Sequence, residues 1–78
     1  MPQTVIIEKC ENKLILARAI MHATKCPLAT AANIVNNLKN NGNTILLNDG
    51  SPVNSEQWDN IVEECNSSNM ELTWHYMH

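Results

Sequence analysis

Hydrophobic positions recur along this chain with two periods, and each change of period marks an element. Thr4–Lys9 (TVIIEK) is short and β-branched and reads as a strand, with Val5 and Ile7 on one face and Ile6 on the other. Cys10 and Glu11 form a brief turn. Asn12 is placed to cap a helix from Lys13 to about Thr24. There Leu14, Ala17, Ile20 and Met21 fall at i, i+3, i+6 and i+7 and predict one buried stripe, widened by Leu16 and Ala23, while Lys13, Arg18 and His22 meet water. Thr24–Pro27 stops the helix, because the residue before a proline avoids helical geometry. Pro27 suits the start of a second helix, from about Leu28 to Leu38 or Lys39, with Leu28, Ala31, Ala32, Val35 and Leu38 on its apolar side. An asparagine-rich stretch ends it, with Gly42 expected in a left-handed conformation.

Thr44–Leu47 (TILL) reads as a second strand, and Asn48–Pro52 as a turn. Asn54 then caps a third helix. Gln57 is placed to return the bond as a capping box, and Val53 and Trp58 occupy the positions of a hydrophobic staple. Trp58, Ile61, Val62 and Cys65 follow at i, i+3, i+4 and i+7, and residues 66–69 end the helix. Met70–Met77 alternates with period two: Met70, Leu72, Trp74 and Tyr76 on one face, Glu71, Thr73, His75 and Met77 on the other. Such a half-solvated strand belongs in an antiparallel sheet. The order β-α-α-β-α-β predicts an α/β two-layer sandwich, a three-stranded antiparallel sheet with three helices on one face, as a single domain over residues 1–78.

Composition narrows the function classes. No apolar run approaches the roughly 20 residues of a membrane helix, and the N-terminus lacks the charge and cleavage pattern of a signal peptide, so a cytoplasmic protein without a membrane association is expected. Cys10, Cys26 and Cys65 are odd in number and widely spaced, which favours free thiols over a disulfide framework. The net charge of −3 conceals a split: residues 1–43 carry +3 and hold every base, while residues 44–78 carry −6 with no base. That asymmetry favours a charged protein partner over nucleic acid, which selects a concentrated basic face.

No catalytic motif is present, and no enzyme activity is expected. His22, His75 and His78 lack the i, i+4 spacing of a helical metal pair, so neither a metal nor another cofactor is expected. Cys26 before a helix start is a weak nucleophile candidate, and packing is the simpler role. Trp74 and Tyr76 have no neighbouring base with which to bind nucleic acid, and read as core residues.

The arrangement VIIE, Asn12-Lys13, LILARAI, Ala23-Thr24, Leu28 and Ala31, followed by VNSEQWDNIVEECNSSNMELTWH, resembles the C-terminal domain of the bacterial ribosomal stalk protein over nearly the whole chain. Met21 and Ala32 stand where that family has basic residues, and Lys25–Pro27 replaces its helix–helix glycines. The Clp protease adaptor shares this fold, but its acidic pocket and Met-x-x-Val-His signature are not evident here. Both families bind proteins and are not enzymes. The resemblance implies contact through the first two helices, where Lys13, Leu14 and Arg18 match by type. The expected function is a small non-enzymatic module that binds and modulates or inhibits another protein through Lys13, Leu14, Arg18 and Met21. Its size and composition suit a phage-encoded domain. The alternative is an RNA-binding or translation-associated regulator. A monomer and a homodimer built on an exposed strand edge are both compatible with the pattern.

Overall fold

The computed structural model describes residues 3–48, 51 and 53–77. Among these the chain forms β1 (Gln3–Cys10), α1 (Lys13–Thr24), α2 (Leu28–Asn36), β2 (Thr44–Leu47), α3 (Ser55–Ser67) and β3 (Leu72–Tyr76). The strands make one antiparallel sheet in the order β2-β1-β3, with Val5 opposite Ile45 on one side and Tyr76 on the other. The β-branched run predicted as a strand is therefore the central strand. It extends one residue further at each end than its sequence pattern indicates.

Three helices cover one face of this sheet. The middle one is α1, packed against both α2 and α3, while α3 approaches β3. Val5, Ile7, Ile45 and Leu47 are buried beneath the helices, and Ile6 and Leu46 lie on the opposite face, as period two requires. A bulge at Glu8 shifts the β1–β3 pairing from Ile7↔Trp74 to Lys9↔Thr73 and then Cys10↔Leu72. The extra residue turns Cys10 back toward the core, where it packs with the helix-side residues.

The helix termini follow their sequence signals closely. Asn12 Oδ1 accepts from the Leu14 and Ile15 N–H groups at 3.0 and 3.4 Å. Asn54 Oδ1 accepts from the Gln57 N–H at 2.8 Å, and Gln57 Oε1 accepts from the Asn54 N–H at 2.9 Å, completing the capping box. Val53 and Trp58, the staple pair, are both fully enclosed. Gly42 is left-handed at φ 67°, and so are Lys25, Asn43 and Asn69. Of the Asn48–Pro52 turn, Ser51 N–H donates to the Asn48 carbonyl at 3.1 Å; residues 49, 50 and 52 lie outside the described set.

Burial departs from the predicted stripes at two leucines. α1 buries Leu16, Ala17, Ala19 and Ile20, whereas Leu14 is 61% exposed and Met21 half-buried. Leu14 lies roughly 160° around the helix from Leu16. With a helix on each side, α1 turns its Leu16/Ala19/Ile20 side inward and Leu14 outward. α2 buries Ala31 and Val35 but leaves Leu28 45% exposed in its first turn. It also ends earlier than predicted, at Asn36; turns carry the chain to Leu38, which is buried. β3 is shorter than its alternating pattern, starting at Leu72 and not Met70, yet each predicted face of that strand is correct.

Candidate functional site

The start of α1 presents the predicted contact residues. The Asn12 cap fixes the first turn, and that turn carries Lys13 and Leu14 into solvent. Both line a groove of about 230 Å³ between α1 and α2, together with Ala17, Ala32, Val35 and Asn36. Its floor is low because alanines face each other across the two helices. α1 contains no acidic residue, and α2 contains no charged residue at all. The only charge on the groove's lining is therefore the Lys13 ammonium.

Arg18 and Met21 follow Leu14 at i+4 and i+7 on the same helical face. The structure does not bring all four predicted residues into one cavity. Arg18 lines a separate recess of about 70 Å³ with Ile15, Glu64 and Ser68, at the junction of α1 and α3. It forms no ion pair among the described residues, since Glu64 is engaged by His22, whose Nδ1 lies 2.9 Å from Glu64 Oε2. Met21 is half-buried and packs against the core, so it supplies an edge of the surface rather than a projecting anchor. Leu14 is the projecting group.

The remaining reactive groups have structural surroundings. Thr24 Oγ1 lies 2.7 Å from the Ile20 carbonyl and 3.0 Å from Cys26 Sγ. Its single proton serves the carbonyl, leaving the hydroxyl to accept from the Cys26 thiol. Burial pushes the Cys10 thiol up, opposed by the Asn12 N–H and the Lys13 charge. Cys65 is pushed up to about 11 by burial, reinforced by Cys10 and Glu64. Both are poor nucleophiles at neutral pH. His75 Nδ1 lies 3.5 Å from Glu8 and Lys9 Nζ 3.2 Å from Glu71, both across the β1–β3 pair. Among the described residues no three His, Cys, Asp or Glu side chains gather around a common point; His78 lies outside that set.

Two features escaped the sequence reading. Ile34, Asn37, Asn41, Thr44, Leu46 and Val53 line a cleft of about 320 Å³ where the end of α2 meets β2. Its walls come from three separate segments, so no local spacing signals it. Trp58 packs edge-on to Trp74 with centroids 5.4 Å apart at 88°, and Trp74 likewise to Tyr76 at 5.1 Å and 89°. Among the described residues the Trp58 indole N–H has no hydrogen-bond acceptor, a desolvation cost of about 1–3 kcal/mol against the apolar burial of the ring. Compared with known family models, curated proteins and solved structures, the chain matches none of them.

Proposed function

We propose that this chain is a small non-enzymatic protein-binding module that modulates or inhibits its partner, with α1 as the contact element. The observation that carries this reading is Leu14, a large apolar side chain 61% exposed on an acid-free helix, beside Lys13 and one turn from Arg18. A lone exposed leucine is ordinary, but one at the rim of an apolar groove and flanked by cations that form no ion pair among the described residues suits a partner with an acidic, hydrophobic contact. The resemblance to the ribosomal stalk C-terminal domain, whose first two helices bind translation factors, supports the same surface. A phage origin remains in keeping with the size of the domain.

A photo-crosslinking side chain at position 14 tests this reading. In lysate, crosslinks should concentrate on one protein, and that protein, once purified, should bind the unmodified chain. Arg18→Glu and Leu14→Asp should each weaken that binding about tenfold or more, while far-ultraviolet circular dichroism stays unchanged. Binding indifferent to both substitutions removes α1 as the contact element.

A further inference from the structure

We propose that the outer edge of β3 accepts an extended basic peptide of another protein as a fourth strand. The sheet order makes β3 an edge. Met77 N–H donates to the Thr4 carbonyl at 2.8 Å, and Glu11 N–H to the Glu71 carbonyl at 3.1 Å. Alternate residues of an antiparallel strand turn their backbone groups to opposite edges. Glu71, Thr73, His75 and Met77 therefore face β1, and Leu72, Trp74 and Tyr76 present their N–H and C=O groups outward. No described strand or bridge pairs with that side. The other edge differs: β2 has four residues, and Val53 bridges Leu47 there. β3 also lacks the devices that normally close an edge, since Leu72–Tyr76 contains no proline, no lysine and no bulge of its own.

Charge selects the occupant. α3 stands over β3, with Trp58 against Trp74. One flank of α3 faces α1, where Glu64 meets His22. Asp59 lies roughly 140° around the helix from Glu64, on the flank turned away from α1, while Glu63 lies opposite the buried Trp58, Ile61 and Cys65, on the outer face of α3. Both are exposed, and neither is in an ion pair among the described residues. A second copy paired through β3 would bring its own α3 alongside, setting Asp59 against a like charge in a stretch, residues 44–78, that holds no base. An added strand with lysine or arginine at alternate positions places cations on the α3 side, beside Asp59, instead, since alternate side chains share a face.

The test uses the full chain, isotope-labelled, with a short synthetic peptide alternating lysine and valine. The same peptide with glutamate for lysine is the control. The lysine peptide should slow hydrogen exchange at the Leu72, Trp74 and Tyr76 amides, and the glutamate peptide should not. The Asp59→Lys variant should bind the lysine peptide about tenfold more weakly. A chemically ligated chain with an N-methylated Trp74 keeps the side chain, loses only the outward N–H, and should also bind more weakly. Unchanged exchange at these amides, equal slowing by both peptides, or undiminished binding by the N-methylated chain would each overturn the proposal. So would slowing without peptide at high protein concentration, accompanied by a doubled sedimenting mass, because the occupant would then be a second copy.

Discussion

Lys25 closes α1 with a left-handed backbone at φ 58°, a conformation that costs an L-residue about 1 kcal/mol and a glycine little. Its side chain is exposed, so nothing in the packing offsets that cost. Lys25→Gly should raise the unfolding free energy by about 0.5–1 kcal/mol after the extra entropy of glycine in the unfolded chain is subtracted; urea titration at fixed pH measures it. Cys65 makes a second residue-scale prediction, through its proton. Its folded-state value of about 11 lies above the ordinary 9.0, chiefly through burial. Between those values the unfolded chain releases the proton while the folded chain keeps it. Stability from this group is therefore full below pH 9 and falls as pH rises from 9 toward 11. Cys65→Ala should be less stable at neutral pH but lose less on going to pH 11, as denaturant midpoints taken across that range will show.

At the scale of elements, Leu14 and Leu16 separate periodicity from packing. They sit two residues apart in the same helix, yet Leu16 is 0% exposed and Leu14 61%. Leu16→Ala should cost about 2–5 kcal/mol in unfolding free energy, whereas Leu14→Ala should stay within about 0.5 kcal/mol. Comparable losses for the two variants would contradict the observed orientation of α1. The same pair marks how far the fold was legible. Caps, staple and alternation are local, so the bounds of α1, the start of α3 and the faces of β1 and β3 could all be read from the chain. The phase of a helix is not local: it depends on which neighbours it meets. The i, i+3, i+7 spacing of Leu14, Ala17 and Met21 fits one neighbour, but α1 has two, and Ala19, which falls outside that spacing, faces inward beside Leu16 and Ile20. Leu28 departs from its apolar stripe for a related reason, lying in a first turn that leaves it in solvent. The exposed Leu14 keeps the predicted contact surface available. The α2–β2 cleft and the free edge of β3 depend on strand order, which no spacing encodes.

At the scale of the molecule, the helix order places two candidate surfaces on opposite sides. The α1–α2 groove carries Lys13 with Leu14 at its rim, and Arg18 lies one turn on. The β3 edge lies beyond α3, beside Asp59. This is the spatial form of the +3 and −6 division along the chain: one surface suits an acidic partner and the other a basic one. Sites so separated, without shared contacts, should respond independently to substitution. Arg18→Glu should weaken capture at α1 about tenfold and leave slowing of exchange at Trp74 and Tyr76 by the lysine peptide unchanged. Asp59→Lys should do the reverse. Raising the salt should weaken both interactions, since each pairs exposed opposite charges. Measuring both readouts on each variant decides the matter: if either substitution shifts both, the two surfaces are coupled through α3, which carries Glu64 with His22 and the Arg18 recess on one flank and Asp59 on the other, and the molecule works as one bipolar contact rather than two.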